Sequence, residues 1–353
     1  MDINIVDILK MAKDKNASDI FVIAGLPLSL KVKGEIVNIT EDRLMPDVTA
    51  KVVEDIFITA KNEHFNDFLE SGDADFSFTI GGIGRFRVNT YKQRSSFAAV
   101  LRLIPYGLPD PEALGIPKVV TELYKLKKGL VLVTGSTGSG KSTTLACIVD
   151  AINTNKTGHI MTLEDPIEFL HSHKKSIVSQ REIPSDTDNY LKALRAAMRQ
   201  APNVILVGEM RDYETVSIAL SAAETGHLLL STLHTISAAN TIDRIIDFFP
   251  SSQQQQIRVQ LAMTLQAVIS QQIVPTVNQG LAAAFEVMLN TTAVANLIRE
   301  NKLHQINSTI HTSGEAGMQT MDSSLINLYK KGVISKETAI GYSLNPEIIS
   351  RQL

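Results

Sequence analysis

A glycine-rich segment that directly follows a short apolar run constrains the fold of this chain more than any other feature. The run Leu-Val-Leu-Val occupies residues 130–133, and the pattern Gly-x-x-x-x-Gly-Lys-Ser extends from Gly135 to Ser142. The apolar run predicts a strand, and the spacing of residues 142–152 predicts a helix. A phosphate-binding loop occurs in this strand-to-helix setting. The sequence therefore predicts that the chain binds a nucleoside triphosphate.

The predicted loop is rich in small residues, which lets its backbone wrap around phosphate oxygens. Successive N–H groups point inward in such a loop, and the helix that follows adds the positive end of its dipole. Lys141 is expected to reach the terminal phosphates, and the Ser142 hydroxyl to ligand Mg²⁺. The predicted ATP-binding residues are Gly135, Ser136, Thr137, Gly138, Ser139, Gly140, Lys141, Ser142 and Thr143. The alternative is a glycine-rich turn with an incidental lysine.

Length and composition favour a globular chain of two domains. At 353 residues the chain is long for a single core. The 34 Lys and Arg residues do not outnumber the 37 Asp and Glu residues, so no overall basic surplus points to a nucleic-acid partner. The single cysteine, Cys147, excludes an internal disulfide and a multi-cysteine zinc site within the chain.

The sequence also predicts a cytoplasmic location. Residues 1–4 lack the basic and apolar blocks of a signal peptide. No apolar run approaches the roughly 20 residues that cross a bilayer. Membrane contact is therefore expected only through a partner protein.

Turn and strand signals divide the chain into segments. Residues 1–104 predict a compact α+β domain, with helices at 3–15 and 48–68 among short strands. Residues 105–117 hold four prolines and two glycines and are predicted to be a linker. Residues 118–290 form the predicted nucleotide-binding domain, and residues 291–353 a helical C-terminal tail.

Strands and helices alternate in the second domain, which favours a mostly parallel sheet. The predicted strands are Leu130–Thr134, His159–Glu164, Val204–Gly208, Leu228–Leu233 and Leu281–Leu289. Predicted helices at 141–153, 188–200 and 212–225 separate the first four of these strands. Helical spacing at Ile257, Leu261, Leu265 and Val268 predicts a further helix.

Acidic residues end two of the predicted strands. Glu164 ends one strand and Glu209 follows another, and in a parallel sheet both ends lie at the edge that carries the phosphate loop. Glu164 is the candidate to orient or deprotonate the attacking water, and Asp165 or Glu168 to contact the metal's water shell. Alternatively, these acids cap the next segment and are solvated. Glu209 stands where many phosphate-loop proteins place a metal-side aspartate.

A histidine and several arginines complete the candidate site. His234, at the end of the strand 228–233, is expected to face the nucleotide and sense its γ-phosphate. Arg87 lies in the first domain on the same strand face as Arg85, and Arg94 and Arg102 follow. Arginines of a neighbouring domain or subunit stabilise the transition state in many oligomeric ATPases, although surface arginines are usually only solvated charges.

Taken in order, these motifs resemble the type II/IV secretion ATPase superfamily, and most closely the PilT-like type IV pilus retraction (twitching motility) ATPases. The resemblance covers nearly the whole chain. Its motifs are Ala17–Asp19, Gly25–Pro27, Asp75–Phe78, Arg85–Asn89, the phosphate loop, the "aspartate box" Glu164–Glu168, the Walker-B-like Gly208–Asp212 and the "histidine box" 225–235. It implies a PAS-like α+β N-terminal domain followed by a RecA-like P-loop ATPase domain with a helical C-terminal tail.

The resemblance also implies a function and a set of partners. It implies a hexameric motor that hydrolyses ATP, with Mg²⁺, between the two domains to drive pilus retraction. Glu164 then corresponds to the catalytic glutamate and Glu209 to the Walker B acid and metal-side ligand, together with Ser142. Arg87 and Arg102 are the first arginine-finger candidates. Implied partners are identical subunits, an inner-membrane pilus platform protein and a paralogous pilus ATPase, with no nucleic acid.

Two features place the chain among the retraction ATPases. Pilus-extension and secretion ATPases usually carry an extra N-terminal domain and often a four-cysteine metal site, and neither is expected for a sequence of 353 residues with one cysteine. Retraction ATPases carry an Ala-Ile-Arg-Asn-Leu-Ile-Arg-Glu motif, which here is Ala293–Glu300 with Ala295 in place of the first arginine. An accessory or secretion ATPase, a nucleic-acid motor and a non-hydrolysing switch are the alternative functions.

Overall fold

The structure, a computed structural model, describes residues 4–104 and 107–353. Met1, Asp2 and Ile3, and Pro105 and Tyr106 of the predicted linker, lie outside the described residues. The chain divides into two compact units. One comprises residues up to Gly107 together with Glu168–Leu170, and the other comprises Leu108–Ile167 and His171–Leu353.

The first unit is a six-stranded sheet of order β3-β2-β1-β6-β5-β4 with helices packed against it. All of its strand pairs are antiparallel. Its elements are α1 Ile5–Asp14, β1 Ala17–Val22, β2 Pro27–Val32, β3 Glu35–Arg43, α2 Pro46–Ala60, α3 Phe65–Ser71, β4 Asp73–Ile80, β5 Gly84–Gln93 and β6 Ser96–Ile104. The apolar faces of α1 and α2 supply much of the core, as the helical spacing of the sequence predicts.

The single helix predicted over 48–68 is wrong, because the chain forms α2 and α3 instead. Lys61 ends α2 in the left-handed region with φ 53°, and the side chain of Asn62 accepts the N–H of His64 at 2.9 Å. This break places the rings of Phe57 and Phe65 in edge-to-face contact with centroids 5.1 Å apart. The apolar residues whose spacing suggested one helix thus pack in an aromatic cluster at the turn between α2 and α3.

The second unit is built on a seven-stranded sheet of order β13-β12-β7-β11-β10-β8-β9. Its elements are α4 Lys118–Thr121, β7 Gly129–Thr134, α5 Lys141–Asn155, β8 His159–Glu164, β9 Ile177–Glu182, α6 Tyr190–Ala197, β10 Val204–Val207, α7 Tyr213–Glu224, β11 Leu228–Leu233, α8 Ala238–Asp247, α9 Ser251–Thr264, β12 Leu265–Pro275 and β13 Leu281–Leu289. Every pairing in this sheet is parallel except that of β12 with β13. The carboxyl ends of β7, β8, β10 and β11 therefore lie at one edge, and β7 and β11 are buried along their whole length.

The sheet differs from the sequence prediction in two places. The helix predicted through Leu265 and Val268 ends at Thr264, and both residues belong to β12. An apolar run that is buried on both faces of a sheet has no period of its own, so it can match helical spacing by chance. The strand β9 was not predicted, because its sequence Ile-Val-Ser-Gln-Arg-Glu is largely polar and lies at the sheet edge.

The C-terminal tail is helical, as its pattern predicts. It contains α10 Thr292–Arg299, α11 Ile306–Thr312, α12 Met321–Lys330, α13 Lys336–Gly341 and α14 Pro346–Gln352, with 3₁₀ turns at Leu303–Gln305 and Gly314–Ala316. A small apolar core joins α12, α13 and α14 to β12 and β13. Within residues 4–104 and 107–353, no helix combines the length and apolar character needed to cross a bilayer.

A buried glutamate on β13 connects the tail to the rest of the second unit. The side chain of Glu286 is only 2% exposed, and its Oε1 accepts the N–H of Ala238, the first residue of α8, at 2.7 Å. The backbone N–H of Met321, the first residue of α12, also donates to this carboxylate. Two helix N-termini are thus joined through one side chain, where their dipoles favour a negative charge.

Stability is expected to depend on pH through this glutamate. Burial raises the pKa of Glu286 above 4.5, the nearby Asp322 charge raises it further, and the two N–H donors oppose the rise. Because the folded state holds the proton more tightly, the contribution of Glu286 to stability is largest below pH 4.5 and is lost as the pH rises through the raised pKa. Glu286→Gln should therefore gain in thermal midpoint relative to wild type as pH rises. Parallel curves of midpoint against pH would contradict this, with Glu347→Gln as the exposed control.

Candidate active site at the phosphate loop

The phosphate loop leaves the end of β7 through Gly135 and enters α5 through Gly140. Gly135 has φ 145°, and a Cβ there would lie 2.3 Å from the backbone oxygen of Gln271. Gly140 caps α5 in the left-handed region with φ 85°. Glycine is required at the first position by the close backbone approach and favoured at the second by its conformation. The two glycines of the sequence pattern thus mark the entry and the exit of the loop.

The outer part of the loop is exposed, and its lysine lies back over it. Ser136, Thr137 and Gly138 are exposed, whereas Ser142 and Thr143 are half-buried at the start of α5. The Nζ of Lys141 lies 2.9 Å from the carbonyl oxygens of both Gly135 and Ser136. The ammonium group is therefore held against the backbone of its own loop.

The first catalytic candidate, Glu164, stands at the end of β8 in a defined hydrogen-bond setting. Thr162 Oγ1 donates to its Oε1 at 2.6 Å, and Gln180 Nε2 from β9 donates to the same oxygen at 3.2 Å. The chain then turns through a cis peptide bond between Asp165 and Pro166. Glu164 is half-buried, whereas Asp165 and Glu168 are exposed. Within this acidic segment, the carboxylate of Glu164 is thus half-buried and held by two side chains.

The second candidate, Glu209, follows β10 and contacts the predicted histidine. The Nε2 of His234 lies 3.4 Å from one carboxylate oxygen of Glu209, and the guanidinium of Arg211 is paired with the other. The Glu209 side chain is only 12% exposed. Its charge raises the pKa of Arg211 through their hydrogen bond. The structure therefore brings Glu209 and His234 together, although they are 25 residues apart in sequence.

The ends of β8 and β10 are joined through backbone contacts. Val207 pairs with Leu163, and the N–H of Gly208 donates to the Leu163 oxygen at 2.8 Å. Glu164 and Glu209 therefore follow neighbouring residues of adjacent strands.

A tyrosine that the sequence did not indicate as a site residue lies beside these strand ends. The hydroxyl of Tyr190 lies 2.6 Å from the position of a Cβ on Gly208. Burial raises the pKa of this phenol, and the charges of nearby carboxylates, Glu209 first, raise it further.

The two arginine candidates lie together in the first unit. Arg87 on β5 and Arg102 on β6 are directly opposite each other, and both are exposed. The Nε of Arg102 donates to Oδ1 of Asp19 at 2.8 Å, and the Asp19 side chain is 7% exposed. A cavity of about 170 Å³ is lined by Asp19, Asp75, Arg87, Asn89, Val100 and Arg102. The role of Asp19 was not predicted, because no local pattern signals a strand-to-strand ion pair.

The other arginines of the first domain are held differently. Arg85 Nη1 donates to Thr79 Oγ1 at 3.3 Å, across the β4–β5 pair. Arg94 lies in the turn between β5 and β6, with φ 47°. Neither residue lines the cavity beside Arg87 and Arg102.

The predicted metal ligands have the chemistry that Mg²⁺ requires. Ser142 offers a hydroxyl and Glu209 a carboxylate, and Mg²⁺ binds oxygen donors while keeping several waters and substrate phosphates. Across residues 4–104 and 107–353, no cluster of three or more His, Cys, Asp or Glu side chains forms a closed metal cage. A metal held by these two side chains would keep coordination positions open for water and for phosphate oxygens.

Fold and loop geometry together define a nucleotide-binding α/β protein of the phosphate-loop class. The chain belongs to the family described as Type II/IV secretion system protein, which matches residues 2–337. It is 46% identical to the Pseudomonas aeruginosa type IV pilus retraction ATPase PilT over 98% of this chain and 99% of that protein. It is 41% identical to the type IV pilus ATPase PilU of the same organism, over 95% and 87% of the two chains.

A solved structure agrees with these relatives. The crystal structure of the pilus retraction motor PilT with bound ADP superposes with a TM-score of 0.90 at 47% identity, covering 99% of this chain and 100% of that chain. The family resemblance and the fold class predicted from the sequence are both confirmed.

Proposed function

We propose that this chain is a homohexameric ATPase motor that drives type IV pilus retraction, with ATP bound at the phosphate loop. The observation that carries the chemistry is the placement of Glu164 and Glu209 after adjacent residues of neighbouring parallel strands, at the edge that bears the phosphate loop. The near full-length similarity to a pilus retraction ATPase supports the motor. We further propose the domain boundaries 1–104, 105–117, 118–290 and 291–353.

In the proposed reaction, water attacks the γ-phosphorus and the bond to the β–γ bridging oxygen breaks, leaving ADP and phosphate. Glu164 orients the water and accepts its proton. The hydrogen bonds from Thr162 and Gln180 favour one orientation of this carboxylate. Lys141 leaves the loop carbonyls and neutralises the terminal phosphates, while the loop N–H groups bind their oxygens.

Glu209, Ser142 and His234 form the proposed metal and γ-phosphate side of the site. Ser142 and Glu209 would hold Mg²⁺, which supplies charge neutralisation of the phosphate oxygens. Arg211 and His234 both contact the Glu209 carboxylate. His234 is proposed to respond to the γ-phosphate through this contact, because a movement of either side chain alters the contact between them.

Arg87 and Arg102 are proposed to act on the nucleotide of a neighbouring domain or subunit. Their guanidinium groups neutralise charge on the transferred phosphoryl group. Contacts between these arginines and bound ATP would form before hydrolysis and be lost after it. This cycle would couple ATP hydrolysis to domain rotation. The proposed location is the cytoplasmic face of the inner membrane, reached through the pilus platform protein. A paralogous pilus ATPase is a further proposed partner.

One alternative has specific support. The alanine at position 295, which replaces the first arginine of the retraction-ATPase motif, favours an accessory pilus ATPase without retraction activity of its own. Deletion of the gene in its host distinguishes the two, with surface motility and pilus retraction as readouts. Loss of retraction that is restored by the wild-type gene, but not by a Glu164→Gln gene, supports the proposed motor. Unchanged retraction in the deletion strain contradicts it.

Removal of one arginine should lower turnover without preventing nucleotide binding by the loop. Arg87→Ala is expected to reduce kcat at saturating ATP at least about tenfold, since Arg102 remains while one cationic contact to the transition state is lost. The assay is phosphate release by the purified oligomer. Arg43→Ala is the matched control, because Arg43 is an exposed arginine on β3 of the same sheet. Equal kcat in both variants would contradict the role of Arg87.

A further inference from the structure

The amide side chain of Gln271 bridges the phosphate loop and the helix that follows it. Its Nε2 donates to the backbone oxygen of Ser139, and its Oε1 accepts the hydroxyl of Thr144 on α5 at 2.8 Å. Gln271 is 2% exposed and Thr144 is 1% exposed. Gln271 belongs to β12, a strand that lies 132 residues from Ser139 in sequence. We propose that Gln271 is a positioning residue that holds the phosphate loop ready for nucleotide.

The strand register explains how Gln271 reaches the loop. Ser270 of β12 pairs with Thr134, the last residue of β7, and their hydroxyls are 2.9 Å apart. Gln271 therefore lies beside Gly135, where the chain leaves the sheet. Its backbone oxygen would be 2.3 Å from a Cβ on Gly135, and its Nε2 would be 2.9 Å from a Cβ on Gly140. The same residue thus contacts both glycines that define the loop.

The two hydrogen bonds of the Gln271 amide fix the end of the phosphate loop where it joins α5. The carbonyl of Ser139 is turned to Gln271, so the peptide between Ser139 and Gly140 is fixed at the junction with α5. Thr144, in the first turn of α5, is fixed by the same amide. A loop that is ordered before binding pays less conformational entropy when the phosphates arrive. The inference rests on the proposed nucleotide site, and concerns how that site is shaped.

The expected consequence is a change in nucleotide affinity more than in the chemical step. The amide does not touch the Glu164 or Glu209 carboxylates, because its two hydrogen bonds go to Ser139 and Thr144. Loss of an interaction that supports ground state and transition state alike raises KM and leaves kcat nearly unchanged. A residue that served only the core would instead lower the thermal midpoint and leave KM unchanged.

The test compares Gln271→Leu with the wild-type oligomer. Leucine occupies similar volume but removes both hydrogen bonds. Expected results are a rise of about tenfold in KM for ATP and in Kd for ADP, with kcat within about threefold of wild type. Gln272→Ala is the control, since Gln272 is the next residue of β12, is half-buried, and points its side chain to the opposite face of the sheet. Unchanged KM and Kd in Gln271→Leu overturn the inference, whether or not the thermal midpoint falls.

A second variant keeps the test decisive if Gln271→Leu does not fold. Thr144→Val removes one of the two hydrogen bonds and keeps the shape of the side chain. It should raise Kd for ADP by a smaller factor than Gln271→Leu does. In the double variant, the change in binding free energy should be smaller than the sum of the two single changes, because both substitutions remove the same hydrogen bond between Gln271 and Thr144. Full additivity, or no effect of Thr144→Val, overturns the inference. A wild-type protein that binds no ADP would instead contradict the proposed function.

Discussion

Lys141→Ala is expected to abolish measurable ATP turnover and to weaken ATP binding at the same time. The Nζ of Lys141 is held 2.9 Å from two carbonyl oxygens of its own loop, so the charge already lies beside the loop that is proposed to bind the phosphates. Alanine removes the only side-chain cation of the segment 135–143. Loss of such a charge from a phosphoryl-transfer site costs about 10³-fold in rate.

The measurements for Lys141→Ala are phosphate release and equilibrium binding of a fluorescent ATP analogue. Lys128→Ala is the matched control, because Lys128 is an exposed lysine directly before β7. The control should retain wild-type turnover and binding. Turnover by Lys141→Ala within about threefold of wild type would show that the loop is a strand-to-helix turn without a phosphate role.

The sequence predicts the fold correctly where strand and helix periodicities flank a recognisable motif, as they do at the phosphate loop. The apolar run before Gly135 and the helix after it fix the strand-loop-helix unit, and the structure has β7 and α5 at those positions. The acids at Glu164 and Glu209 could be placed at one edge because parallel strands share the edge at which they end. The contact between Glu209 and His234 follows from the same rule, as β10 and β11 are neighbours.

Where the sequence fails, the determining contacts are far apart in the chain. The role of Gln271 could not be predicted, because the apolar residues around it match a helix as well as a buried strand. Only the pairing of β12 with β7 brings its amide to the loop. The roles of Asp19 and Tyr190 could not be predicted either, because they depend on tertiary contacts. Asp19 contacts Arg102, and Tyr190 lies close to Gly208. The roles of Arg87 and Arg102 stay a prediction.

Glu164→Gln is expected to stop hydrolysis while leaving ATP bound. Glutamine keeps a carbonyl oxygen that can accept the Thr162 hydroxyl, now 2.6 Å from Glu164, so the strand end should keep its geometry. What the variant lacks is a group that accepts the proton of the attacking water. General-base catalysis contributes about 10²- to 10⁴-fold, so kcat should fall by that factor.

The contrast between binding and turnover is what makes this variant decisive. Kd for ATP should remain within about threefold of wild type, because the loop and Lys141 are unchanged. Glu214→Gln on α7 is the control, because Glu214 is an exposed acid in the first turn of a helix of the same unit. Wild-type turnover by Glu164→Gln would transfer the general-base role to another acid of the same segment, with Asp165 and Glu168 next to be tested. Trapping of ATP without hydrolysis would place the proton acceptor at the end of β8.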